Sequence, residues 1–270
     1  WSNGDSMSDV LAAIRGMVAD ERLGATATVV AGPDLGTRAA IDAEHGLVAG
    51  AIPAPVVADV LADAAQLMAH EQSRTLAYGD REVYIETLAP PPVLLLFGAG
   101  HVSQPLAVMG RQLGFRVIVA DARPIWATEE RFPDVDELIV AWPEKVLERV
   151  ELDGRTYVAL LNHDPRFEDP VFPSVKDAPV RYVGAMGSRK THRARIERLR
   201  AAGWTEAETS RIHGPIGLDI GAETPEEMAV SILGEIIQVR YGHGSGLSLH
   251  GTDGRMHAHR GGEEGTSEVP

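Results

Sequence analysis

"VLLLFGAGHVSQPLAVMG" (residues 93–110) decides how the rest of the chain is read. Val93 to Phe97 form an apolar, β-rich run that stops at Gly98-Ala99-Gly100, and helical spacing begins at once. The two glycines let the backbone turn tightly and approach a diphosphate without Cβ obstruction. The N–H groups opening the next helix then face the phosphate, helped by the helix dipole. Ser103 stands where a third small residue usually lets helix close on strand. The following apolar run, "RVIVAD", ends at Asp121, where an acid that binds a ribose is expected. Arg123 is placed either to pair with Asp121 or to meet a phosphate. His101 would crowd an ordinary dinucleotide pose, and is read as a ligand contact or an exposed residue at the helix start. The alternative for Gly98 and Gly100 is close strand–helix packing alone.

The same grammar continues downstream. "ELIVA" (137–141), "TYVALL" (156–161) and "VRYVGAM" (180–186) are short apolar runs suited to parallel strands covered on both faces. Helices are predicted between them at 102–113, about 124–131, 143–149, 188–202 and 225–241. The sum is an α/β fold, a Rossmann-like doubly wound, mostly parallel sheet. Such sheets bind ligands beyond the carboxyl ends of their strands. There the fourth strand delivers Asn162, His163 and Asp164. The fifth delivers Gly184, Gly187 and Ser188, then a basic helix with Arg189, Lys190, Arg193 and Arg195, a candidate anion site. Next come Gly214, Gly217, Asp219 and Gly221 in an irregular glycine-dense loop. Thr224-Pro225-Glu226-Glu227 carries the signature of a capping box.

Upstream lies a small α+β domain, residues 1–90. It comprises an amphipathic helix over 7–20, a strand over 25–32, a hairpin over 37–50, a helix over 54–72 and a hairpin over 74–89. "APPP" (89–92) marks the boundary, since consecutive prolines cannot sit inside a helix or sheet. The Rossmann-like domain then spans 91–242. Residues 243–270, rich in Gly, Ser and His, read as a flexible tail whose histidines bind metal only adventitiously.

The 270 residues carry a net charge of −14 and no cysteine. That balance argues against nucleic acid and anionic membranes as partners, because both need clustered Lys and Arg. Absence of cysteine removes disulfides, thiolate metal sites and Cys nucleophiles, and fits a cytoplasmic protein. No dedicated metal site is expected.

"GAGHVSQPLA", "VADARPIWATEERFP", "NHDPRFED", "YVGAMGSRKT" and "HGPIGLDIGAETPEEMAVSILGEII" together resemble the XdhC/CoxI family of xanthine dehydrogenase accessory factors. The resemblance covers about 93–241, and residues 25–88 resemble a degenerate form of the family's first domain. It implies a chaperone that binds the molybdenum cofactor (molybdopterin, a pterin with a phosphate) and delivers it to a molybdenum hydroxylase apoenzyme. A cysteine desulfurase and a second copy of the chain, forming a homodimer, are further partners it suggests. The family's first domain usually carries a glycine–cysteine turn. Here that turn reads "VAGAIPAP" (48–55), so sulfur ligation of molybdenum is absent from this chain. The other readings are an NAD(P)-dependent oxidoreductase, with His163 as proton donor, and an interaction protein that has kept the fold but lost the ligand.

Overall fold

Apolar residues alternate along Gly24–Ala31, so one face of that strand must be covered. The computed structural model describes residues 3–162, 164–242 and 244–251. The chain divides into one unit ending at Pro90 and a second running from Pro91 to Ser248, with the 3-10 turn Leu249–Gly251 grouped with the first.

The first unit contains α1 (Asn3–Ala19), β1 (Gly24–Ala31), β2 (Arg38–Asp42), β3 (Gly46–Gly50), α2 (Val57–Ala69), β4 (Arg74–Tyr78) and β5 (Arg81–Leu88). Its strands form an antiparallel sheet in the order β3-β2-β1-β5-β4. Val60, Ala64, Leu67 and Met68 of α2 bury Ala25, Ala27, Val29, Val83 and Ile85 on one face. Val10 and Met17 of α1 pack on Ala40 of β2. Asp42 holds the β2–β3 turn, accepting from the N–H groups of Glu44 and His45.

The second unit runs β6 (Val93–Phe97), α3 (Ser103–Gln112), β7 (Arg116–Ala120), β8 (Glu137–Ile139), α4 (Pro143–Leu147), β9 (Thr156–Leu160), α5 (Pro165–Glu168), α6 (Val171–Asp177), β10 (Tyr182–Ala185), α7 (Arg189–Ala201), α8 (Glu206–Ser210), β11 (Ile212–His213) and α9 (Pro225–Tyr241). Its sheet is parallel, in the order β11-β10-β9-β6-β7-β8. Chain order thus runs outward from β6 along one edge to β8, then returns beside β6 and runs outward along the other, the arrangement of dinucleotide-binding sheets.

Two cores explain the unbroken apolar strands. Leu94, Leu96, Val117, Val119, Tyr157 and Ala159 face Leu106 of α3 and Ile232, Leu233 and Ile236 of α9. Their neighbours Leu95, Phe97, Ile118, Val158 and Leu160 face the opposite way, toward Val146, Val171, Phe172 and Leu199. Leu94, Leu95 and Leu96 are completely buried. Each such side chain contributes about 1.5–3 kcal/mol of transfer free energy, enough to fix the strand between both layers.

Several elements depart from the sequence-based expectation, among them α8 (Glu206–Ser210), for which no helix was expected. Residues 124–131 form turns, not a helix. Ala127 and Phe132 are nonetheless buried, with Trp126 packed against the same core. The apolar spacing there anchors a loop. Two short helices, α5 and α6, occupy the stretch after β9, and β11 is a two-residue strand. Of the 243–270 tail, His243 and residues 252–270 lie outside the described residues, and 244–250 are exposed. No helix among the described residues is long and apolar enough to cross a membrane.

Candidate functional site

The strand order reverses between β6 and β9, so the loops leaving these strands diverge and open a crevice. A cavity of about 900 Å³ occupies it. Gly100, His101, Val102 and Ser103 form one side, and Ala122, Arg123 and Trp126 a second. Trp142 and the segment Asp164–Phe167 form a third, above a floor of Leu161 and Met186.

Gly98 makes the turn possible. Its φ is +113°, and a Cβ there would lie 2.9 Å from the Asn162 amide nitrogen. Ser103, fully buried, donates its hydroxyl hydrogen bond to the Gly98 carbonyl. Gly100 differs. A Cβ on it would meet no protein atom within 4 Å, yet it lines the cavity. Packing of the chain therefore does not require a glycine there, and the bare backbone faces open space. The first residues of α3 carry no side-chain cap, which leaves their N–H groups to the crevice or to solvent.

Asp121, expected to meet a ribose, is turned inward. Its side chain is 0% exposed and it does not line the cavity. One oxygen accepts from the Ala99 N–H at 2.8 Å and from Arg123 Nη2 at 2.7 Å. The other accepts from Arg123 N and Nε, both at 2.9 Å. Burial alone would raise its pKa, but these bonds outweigh it and hold the carboxyl below its ordinary value. A ribose would have to displace Arg123 to reach it.

The consequence falls on Arg123. Asp121 grips the Nε–Nη2 edge of its guanidinium, and Asn162 Oδ1 accepts a further bond from Nη2 at 3.0 Å. No described residue accepts from Nη1, and the side chain is 42% exposed. Among the described residues the group is therefore a fixed cation with one donor edge free. Aromatic rings surround it. Its carbon lies 5.3 Å from the Phe167 ring centroid and 5.7 Å from that of Trp126. Trp142 stacks on Phe167 at 4.9 Å, and His101 meets Trp126 edge-on at 5.6 Å. At the rim, Asp164 caps α5 and pairs with Arg166, whose side chain is 76% exposed. Trp126, Trp142 and Phe167 were not singled out from the sequence. Trp126 and Trp142 lie just beyond the ends of β7 and β8, and that position was the available signal.

Of the predicted contacts, Gly100, His101, Arg123, Asn162 and Asp164 converge here. His163 lies outside the described residues. The remainder go elsewhere. Arg189, Gly217, Asp219 and Gly221 line a second cavity of about 410 Å³ at the α7 and α9 ends, with Arg189 and Asp219 loosely paired at 3.7 Å. Gly184 is buried in β10, against Ile216 and Tyr182. Gly187 abuts Thr191, and Gly214 abuts His192. Ser188 caps α7, and Lys190 is exposed. Arg195, expected on an open basic face, is buried and paired with Glu168. The predicted basic helix is thus divided between a surface end and an interior salt bridge. Glu235, unforeseen, organises the 213–217 loop: it accepts from Tyr182 OH at 2.5 Å and Gly217 N at 2.9 Å, and His213 Nδ1 lies 3.1 Å away. Among the described residues no cluster of His, Asp or Glu could hold a metal ion.

A switch-point crevice with a fixed guanidinium and ring walls suits a planar, anionic molecule. The chain is 36% identical over 158 residues to a probable xanthine dehydrogenase subunit of Bacillus subtilis (strain 168), covering 58% of this chain and 46% of that protein. It is 38% identical over 90 residues to the molybdenum cofactor insertion chaperone PaoD of Escherichia coli (strain K12), covering 33% of this chain and 28% of that one. Each match thus spans less than half the length of the curated relative. A crystal structure described as a xanthine dehydrogenase from Bacillus halodurans superposes with a TM-score of 0.51 at 18% identity, over 83% of this chain and 92% of that one, and shows a shared fold. The family model described as the XdhC Rossmann domain matches residues 94–236, more than half of the chain, and the protein accordingly belongs to the XdhC family.

Proposed function

We propose that the protein binds the molybdenum cofactor in the switch-point cavity and delivers it to a molybdenum hydroxylase. The carrying observation is Arg123, held from behind by Asp121 and Asn162 with Nη1 bonded by no described residue, inside a wall of aromatic rings. A pterin offers a flat ring for Trp142, Phe167 and Trp126, and a phosphate for Arg123 and the bare backbone at Gly100. The chain has no thiolate to offer the metal. Holding the cofactor by its organic part leaves the molybdenum end free for the client, as a carrier requires. The cofactor is cargo in this reading, and its chemistry is used in the hydroxylase. The hydroxylase apoenzyme is the client; a cysteine desulfurase would act on the cargo before transfer.

NAD(P) is the second reading, favoured by the strand order and the glycine turn. The burial of Asp121 weighs against it, because the ribose contact of that pose is already occupied. Melting the protein with isolated molybdenum cofactor and, separately, with NAD(P)H decides between them. The cofactor at a hundredfold excess over its dissociation constant should stabilise by about 2.7 kcal/mol, and Arg123→Ala should remove that gain. Stabilisation by NADH alone, surviving Arg123→Ala, overturns the proposal.

A further inference from the structure

We infer that Glu168 is a positioning residue for the aromatic wall of the cavity, an inference that rests on the cofactor reading for its ligand. Glu168 is buried, and it follows Phe167 directly in the short helix α5. Its Oε2 accepts from Arg195 Nη2 at 2.7 Å and from Nε at 3.1 Å. Its Oε1 accepts from Arg198 Nη2 at 2.8 Å. Both arginines belong to α7. The same Arg195 donates through Nη2 to the Met186 carbonyl at 2.9 Å, and Met186 forms part of the cavity floor.

One buried guanidinium thus joins wall to floor. Phe167 stacks on Trp142 and faces Arg123, so the position of α5 sets where that ring stack stands relative to the guanidinium. A helix of four residues has almost no stability of its own. Something outside it must fix its place, and apolar contact alone fixes distance better than angle. A buried ion pair contributes little net stability compared with apolar residues of similar volume, but it is directional. This pair is not arranged for greatest stability, because Arg195 Nη1 is buried without a hydrogen-bond partner among the described residues. What it supplies is the placement of two cavity surfaces relative to each other.

The full chain, labelled with 5-fluorotryptophan, provides a readout that needs no ligand. Its four tryptophans give four fluorine resonances, assigned by Trp→Phe substitution. Glu168→Gln should move the Trp142 resonance. Thr224→Ala, which removes a remote helix cap, should lower the melting temperature and leave that resonance in place. Should Glu168→Gln not fold, Glu168→Leu combined with Arg195→Met retains a packed neutral pair and should still displace Trp142. Isolated molybdenum cofactor should then bind either variant more weakly by roughly 10-fold or more, by analogy with the loss when outer-shell partners of metal ligands are removed. An unmoved Trp142 resonance in folded variants overturns the inference, as does a moved resonance with undiminished cofactor affinity. A moved resonance in a protein whose wild type binds no cofactor leaves the wall device standing and sinks the cofactor reading instead.

Discussion

Removing the Asp121 carboxylate would orphan the Ala99 N–H and release Arg123 together. Asp121→Ala should therefore destabilise by about 1–3 kcal/mol, the range for a buried donor left unsatisfied, read as a lower urea midpoint. The acid limb of stability follows the same group. Its folded pKa lies below the unfolded value, so its contribution is full above about pH 4 and fades as pH falls further. Gly100→Ala tests the opposite case. A Cβ there meets no protein atom, so the melting temperature should hold while cofactor-dependent stabilisation falls. His192 adds a milder dependence. Burial first, then Arg195, holds its imidazole below the ordinary range. The unfolded chain then takes up the proton more readily, so stability is full above about pH 6.5 and declines below it. In His192→Gln the drop in melting temperature between about pH 7 and about pH 5.5 should shrink. The glycine turn and Arg123 were legible because their meaning is local. The inward orientation of Asp121 was not, since whether an acid at a strand end faces outward depends on the partner it finds, here an N–H contributed by the neighbouring turn.

At the scale of elements, legibility follows the range of the forces. The capping box of α9 is complete within four residues. Thr224 accepts from Glu227 N, and Glu227 accepts from Thr224 N. Spacing alone therefore revealed it. Thr224→Ala should destabilise by about 1 kcal/mol, seen as earlier helix loss in circular dichroism. The long apolar strands were readable for the same reason, since a strand buried on both faces needs no partner to be recognised. The 124–131 turns and α5 were not. Both lie after strand ends, where the backbone is shaped by Arg131 donating to the Trp126 carbonyl and by Arg195 reaching Glu168 from a distant helix. Sequence pattern shows that Ala127 and Phe132 are apolar, but not that they fold down as a loop.

For the whole molecule, the family match and the main cavity both fall inside the second unit. A polypeptide of residues 91–248 should fold by itself, melt in one transition and retain the cofactor-dependent gain in stability. Loss of that gain would assign part of the binding to the first unit. The charge reading also resolves at this scale: a chain of net −14 still presents a fixed cation where the sheet reverses. The two arginine–aspartate pairs of the cavity have different surroundings. Asp121 is wholly enclosed, whereas Asp164 and Arg166 meet at the water's edge with side chains 38% and 76% exposed. Dissolved ions screen an exposed pair far more than an enclosed one. Raising the ionic strength should loosen the mouth while the inner clasp persists, so on the proposed reading a gentle rise in salt would hasten the escape of bound cofactor without unfolding the protein.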